Sequence, residues 1–255
     1  MIFFRRRSNQ ATPALTESCV PDGRRVYAIG DIHGRHDLLV AMRQLIAEDL
    51  RSKPIANATT IFLGDYVDRG PDSRNVLEEL ITGQFPTATT MLKGNHELML
   101  VSFLEALDSA EGWARNGGIE TLHSYGVDVR EFRRGKDAER VRQDFRARFP
   151  QTHADFMQRL ILSCSVGDYF FCHAGVRPGI PLEAQSEADL LWIREEFLLE
   201  EYDFGKVVVH GHSPVLRPEL TRNRINIDTG AYISNRLSCL VLEGVQRRLL
   251  STGGA

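Results

Sequence analysis

Five short clusters of glycine, acid, amide, imidazole and guanidinium punctuate this chain of 255 residues. They are Gly30-Asp31-Ile32-His33-Gly34, Gly64-Asp65-Tyr66-Val67-Asp68-Arg69-Gly70, Gly94-Asn95-His96-Glu97, His173-Ala174-Gly175 and His210-Gly211-His212-Ser213-Pro214. Each stands directly after a short apolar run. Their side chains form a donor set of oxygen and imidazole nitrogen without thiolate, which suits manganese, iron or zinc better than calcium or copper(I). Asp-x-His presents two ligands from one loop, and an aspartate from the next strand can bridge two ions. Such ions, roughly 3.5 to 4 Å apart, can generate a hydroxide at neutral pH and clamp a phosphate for in-line attack. Any one cluster taken alone reads as a turn or a packed histidine. Five at successive strand ends do not read as independent accidents. Five of the eight histidines lie in these loops, and His36, His123 and His153 read as surface or packing residues.

The elements that must position these clusters follow from the apolar periodicity. Val26–Ile29, Thr60–Leu63 and Thr89–Leu92 read as strands. They are followed by helical patterns over Asp37–Leu50, Ser73–Thr82 and His96–Leu107. Three strand-loop-helix units in a row predict a parallel sheet with right-handed crossovers. Their loops then share the carboxyl edge of the sheet, where α/β folds bind ligands. Residues 108–160 are charged and helix-like, with an amphipathic stretch over Asp137–Phe149. Beyond them the pattern turns to strands: Tyr169–Cys172, Val207–Val209, Ile225–Ile227 before Asp228-Thr229-Gly230, and a hairpin over Leu237–Leu250 about Glu243-Gly244. One helix is expected over Glu187–Glu200. The expectation is an α/β fold of two facing mixed sheets with helices outside and the clusters at strand carboxyl ends.

Composition fits a single intracellular α/β domain. With 42% hydrophobic residues the chain can bury a full core, and a formal charge of −3 argues against bulk coating of nucleic acid. Cys19, Cys164, Cys172 and Cys239 form no C-x-x-C pair, so neither a zinc knuckle nor a disulfide framework is indicated. No apolar segment reaches the roughly 18 to 20 residues of a membrane span. A secretory signal is not expected, since Arg5, Arg6 and Arg7 follow the apolar Ile2-Phe3-Phe4 rather than precede it. A cytoplasmic location is expected. Residues 1–24 read as a lead-in and 25–255 as a single domain.

The motifs together resemble the phosphoprotein phosphatase branch of the calcineurin-like metallophosphoesterases, in particular the bacterial and bacteriophage lambda type. The resemblance runs from about Arg25 to about Leu250 and takes in RNGG (115–118), LLWIRE (190–195) and INIDTGA (225–231). It implies a four-layer αββα sandwich with two divalent metals, manganese above all, at the strand ends. It assigns one metal to Asp31 and His33, the bridging carboxylate to Asp65, and the second metal to Asn95, His173 and a histidine of the HGH segment. The family pattern of Gly-His before Ser/Thr-Pro favours His212 over His210. By the same resemblance Arg69 and Arg194 grip the phosphoryl oxygens and Asn95 also faces substrate. His96 is then the general acid and Asp68 its orienting partner. A phosphoprotein or phosphopeptide is the implied substrate, with neither nucleic acid nor membrane as a stable partner.

Three departures and rivals bear on substrate. The SAPNY loop of the eukaryotic phosphatases is absent; IDTGAYISNR stands in its place, and Tyr232 is left near the site without a motif to fix it. The symmetrical diadenosine tetraphosphate hydrolases share the frame but typically carry Ala-Arg-Gly and GNHD where this chain has Asp68-Arg69-Gly70 and GNHE. Nucleases of the superfamily usually carry Gly-His-x-His, and Pro214 fills the last of those positions. The basic stretch Arg130–Arg148 reads as a solvated helical face, with a docking surface for an acidic or multiply phosphorylated partner as the sharper alternative. A pseudoenzyme would have lost a ligand or the Asp-His pair, and every such position is filled.

Overall fold

The computed structural model describes residues 17–83 and 85–253, so the apolar-basic segment Met1–Arg7 lies outside the described residues. The first half alternates strand and helix: β1 (Arg24–Ile29), α1 (His36–Ser52), β2 (Asn57–Phe62), α2 (Ser73–Thr82), β3 (Ala88–Met91) and α3 (Asn95–Glu105). Strands β1, β2 and β3 are parallel neighbours, as the crossover rule requires. The charged middle is helical. It comprises α4 (Ala110–Trp113), a π-helical turn over Ala114–Gly118, α5 (Ile119–Ser124), α6 (Ala138–Arg148) and α7 (Gln151–Arg159). Its arginines are largely neutralised, since Arg130, Arg134, Arg140, Arg142 and Arg148 each pair with a neighbouring carboxylate. That arrangement accords with a solvated face.

The second half adds β4 (Ser163–Val166), β5 (Tyr169–Cys172), α8 (Glu187–Trp192), α9 (Glu195–Leu198), β6 (Val207–His210), β7 (Glu219–Leu220), β8 (Arg224–Asn226), α10 (Ala231–Ser234), β9 (Ser238–Glu243) and β10 (Gln246–Ser251). Two five-stranded mixed sheets result, ordered β10-β9-β1-β2-β3 and β4-β5-β6-β8-β7. The closing hairpin therefore leaves the second half and completes the first sheet. It does so because β9 alternates Cys239 and Val241 toward the helices with Leu240 and Leu242 toward the other sheet, matching β1 residue for residue.

The same period-two alternation builds four layers. On β1, Val26 and Ala28 face the second sheet, while Tyr27 and Ile29 face the helices that carry Leu39 and Met42. On β5, Tyr169 and Phe171 fill the space between sheets, while Phe170 and Cys172 pack under Leu190 and Phe197. The lead-in enters this core earlier than residue 25. Ser18 and Val20 are buried, and the Val20 amide donates to the Gly244 carbonyl at 3.1 Å.

One expected helix is broken. The run Glu187–Glu200 divides into α8 and α9 at Ile193-Arg194, where Arg194 adopts φ −132° and ψ −94°. Continuing the helix would carry Arg194 along the outer face; the break turns its Nη1 to the Ser213 hydroxyl at 3.3 Å. Among the described residues no helix is long and apolar enough to cross a membrane.

Candidate metal centre

Both sheets deliver their strand ends to one place, and the centre is organised around Asp65. This carboxylate is 2% exposed, with His33 Nε2 at 3.4 Å from one oxygen and His173 Nε2 at 3.4 Å from the other. Asn95 Oδ1 lies 2.9 Å from both His173 Nε2 and His212 Nδ1. The His96 amide donates to Asp65 Oδ1 at 3.1 Å. Burial lowers the pKa of His33, His173 and His212, which keeps their rings neutral and their lone pairs available.

Tautomers fix which nitrogen faces inward. His33 Nδ1 lies 2.8 Å from the Val67 carbonyl and His173 Nδ1 lies 2.9 Å from the Leu63 carbonyl. A carbonyl only accepts, so each Nδ1 carries the ring's one proton and each Nε2 offers a lone pair. At His173 that lone pair points at the oxygens of Asn95 and Asp65, acceptor against acceptor. Such a contact is repulsive until a cation stands between the atoms, so the donor set fits metal ions. Two groupings of buried donors could each hold one: His33, Asp65 and His96, and Asp65, His173 and His212, sharing Asp65.

The expected residues distribute around these groupings as follows. Asn95 joins the second through the contacts above. His212 lies within it, whereas His210 is held by its own strand end, its ring edge-on to Phe197 at 5.0 Å between centroids. Asp31 stands outside the tightest first grouping, where His96 appears instead. Both Asp31 oxygens take the His212 amide, at 3.1 and 3.3 Å. His96 is committed on its other side, with Nδ1 2.7 Å from Asp68 Oδ2. Its Nε2 is buried without a hydrogen-bond partner, 3.8 Å from Asp65. Burial works against the imidazolium form of His96, but Asp65 and Asp68 outweigh it and raise the pKa above the ordinary value.

Asp68 is fully buried and saturated with donors. Trp113 Nε1 reaches Oδ2 at 2.8 Å and the Thr121 hydroxyl donates to Oδ1 at 2.6 Å, both from the helical middle segment. Arg69 is steered by the same segment. Its amide donates to the Gly117 carbonyl at 3.1 Å, and its Nη1 reaches the His33 Nε2 lone pair at 3.0 Å. The Arg69 guanidinium also lies 4.9 Å over the Tyr232 ring, so Tyr232 borders the centre. With Arg69 at His33 and Arg194 at Ser213, next to His212, one guanidinium stands beside each metal-holding grouping.

The backbone here is strained. His33, Asp65, Asp68, Arg69 and His212 all have φ between 48° and 71°, a region costly for residues with a Cβ. Glu97 compensates in the GDYVDRG bend: its carboxylate accepts from the amides of Gly94 and Asp65 at 2.9 Å, Tyr66 at 2.7 Å and Val67 at 3.3 Å. Gly64, at φ 99°, is required because a Cβ there would meet the Gly94 nitrogen at 2.6 Å. Sequence reasoning passed over Trp113, Thr121, Trp192 and Asp228. Trp192 lies edge-on to His212 at 6.3 Å. Asp228 is buried beside Asp31, and its signal was present: DTG follows a strand just as the five other clusters do.

Comparison with known proteins agrees with this arrangement. Bis(5′-nucleosyl)-tetraphosphatase PrpE (asymmetrical) of Bacillus velezensis is 24% identical over 231 residues, covering 82% of this chain and 86% of that protein. Serine/threonine-protein phosphatase 2 of Escherichia coli is 27% identical over 230 residues, covering 84% of this chain and 91% of that protein. The crystal structure of a putative diadenosine tetraphosphatase shares the fold, with a TM-score of 0.60 at 18% identity over 91% of this chain and 95% of that one. The calcineurin-like phosphoesterase family description matches residues 24–237. With that match covering β1 to β8 and all five strand-end clusters, the chain belongs to the calcineurin-like phosphoesterases and is a metallophosphoesterase hydrolase.

Proposed function

We propose that the chain hydrolyses phosphomonoesters of serine and threonine in proteins. The buried Asp68–His96 pair at 2.7 Å carries this reading. A serine alkoxide is a poor leaving group and needs a proton, whereas a nucleotide leaves readily as an already stabilised phosphate anion. A carboxylate held by Trp113 and Thr121 against the ring of His96 prepares that proton. Asp68 orients the imidazole and favours its charged form, and His96 Nε2 delivers the proton to the departing oxygen. Arg69 and Arg194 neutralise and align the phosphoryl oxygens, a task suited to planar forks of donors. Asp31, His33 and Asp65 would hold one divalent ion, and Asp65, Asn95, His173 and His212 a second. When bound, the pair supplies Lewis acidity and a nucleophile drawn from water. Manganese is the proposed metal.

The tetraphosphatase relatives favour a second reading, cleavage of a dinucleoside polyphosphate. They are named asymmetrical, unlike the symmetrical hydrolases that differ from this chain at Asp68 and Glu97. Glu97 also loses its weight as a substrate marker, because its carboxylate serves the bend and is fully buried. Asp68 retains its weight through His96. Chelated protein, reloaded with manganese, should be assayed on phosphoserine, phosphothreonine and phosphotyrosine peptides, diadenosine tetraphosphate and single-stranded DNA. The monoester reading expects phosphoserine and phosphothreonine peptides to be preferred. Preference for the dinucleotide would replace it, with the nucleotide products showing which bond is cut. Hydrolysis without metal would overturn both.

A further inference from the structure

None of the roles above uses Asp228. It follows β8 as Asp31 follows β1, and the two carboxylates meet across the sheets. They are 1% and 2% exposed and lie within hydrogen-bond reach of one another. A Cβ on Gly211 would stand 2.0 Å from Asp31 Oδ1 and 3.6 Å from Asp228 Cβ, so bare backbone closes over the pair. The Asp228 side chain is held in place: Oδ1 accepts from the Gly230 amide at 2.8 Å. Its own amide donates to Asn226 Oδ1 at 3.0 Å, and its carbonyl receives the Val215 amide at 2.9 Å. Asn226 Nδ2 in turn donates to the Ser213 carbonyl at 2.8 Å. The DTG turn and the HGHSP loop are thus one hydrogen-bonded unit, which meets Asp31 through the His212 amide and the Asp228 carboxylate.

Two carboxyl groups side by side in a buried site cannot both stay ionised unless a proton or a cation compensates them. The Arg69 guanidinium acts on both, but it is engaged with His33 Nε2 and the Tyr232 ring. A turn that needed only an acceptor for the Gly230 amide would be served by asparagine or serine. A carboxylate placed against Asp31 adds a second negative charge where a divalent ion is to bind, and fixes the direction in which Asp31 offers its oxygens.

We propose that Asp228 is a positioning residue of the metal centre, an outer carboxylate that orients Asp31 and strengthens cation binding at the Asp31–His33–Asp65 position. The inference rests on the metal-binding part of the proposed function and is independent of its substrate.

The test titrates metal-depleted protein with manganese, following the free ion by electron paramagnetic resonance. Two binding steps are expected, and Asp31→Asn identifies the step that belongs to its position. Asp228→Asn keeps Oδ1 for the Gly230 amide and removes the charge. It should weaken that same step by roughly 10- to 100-fold and leave the other unchanged, the usual effect of losing an outer-shell partner. Asp228→Ser should act alike and serves if the amide variant does not fold, as judged by its thermal transition. A folded variant with both steps at wild-type affinity would reduce Asp228 to a builder of the turn. Equal weakening of both steps would also overturn the assignment. Failure to hydrolyse phosphopeptides would remove the substrate reading and leave this titration standing.

Discussion

At the residue scale the decisive question is whether His96 gives a proton or holds a metal. Its Nε2 lies near enough to Asp65 to be grouped with His33, yet its Nδ1 is locked to the Asp68 carboxylate, which two further donors hold in place. The two roles separate cleanly by experiment. As a general acid, His96→Asn should lower turnover of a phosphoserine peptide by roughly 10² to 10⁴-fold with metal content near wild type. Asp68→Asn should do the same through misorientation of the ring. An activated aryl phosphate, which needs little protonation, should lose much less. Loss of bound manganese in His96→Asn would instead make it a ligand.

At the scale of elements, the GDYVDRG bend is held by a helix. Glu97 sits in the first turn of α3 and reaches back to the amides of Asp65, Tyr66 and Val67 in the bend between β2 and α2, so the strained φ at Asp65 leans on it. Glu97→Gln turns an amino group toward backbone donors and leaves buried groups unpaired. It should cost about 1 to 3 kcal/mol of stability, read from denaturant unfolding, and weaken manganese binding in parallel. Unchanged stability and metal affinity would deny Glu97 this role. The division of α8 from α9 is the other element-level finding. The periodicity of residues 187–200 suits a continuous helix. Local propensity cannot register the need to aim Arg194 at Ser213, which comes from a different part of the chain.

At the scale of the molecule, a second buried charge network joins α1 to the edge of the first sheet. Asp49 accepts two bonds from Arg248, at 2.7 and 3.0 Å, one from the Tyr27 hydroxyl at 2.7 Å and one from Arg25 at 3.2 Å. Burial would raise the Asp49 pKa, but Arg248, Tyr27 and Arg25 outweigh it and the net shift is downward. Its contribution is therefore complete above the ordinary carboxylate pKa and is lost as pH falls through the lower folded value. Asp49→Asn should cost about 3 kcal/mol at neutral pH, the usual penalty for stranding a buried partner, and this difference should shrink in strong acid. Unfolding curves at neutral and acid pH check both parts. Metal should stabilise the whole molecule as well, since ligands bind the folded centre alone. Manganese at 100 times its Kd should raise stability by about 2.7 kcal/mol, seen as a drop in Tm on chelation.

What the sequence determined by itself was what short-range pattern can encode. Strand-end position and donor chemistry marked the five clusters, and alternation with crossover handedness gave two sheets with helices outside, because each depends on residues within a few positions of one another. The Ser-Pro after His212 set it apart from His210 only through the family pattern it resembles. Tertiary structure decided what depends on contact between distant segments. It drew the closing hairpin into the first sheet, broke the helix at Arg194, brought Trp113 and Thr121 to Asp68, and set Asp228 against Asp31. These four turn on partners tens to hundreds of residues away, and burial satisfies a polar group by whichever donor or charge the completed fold brings within reach.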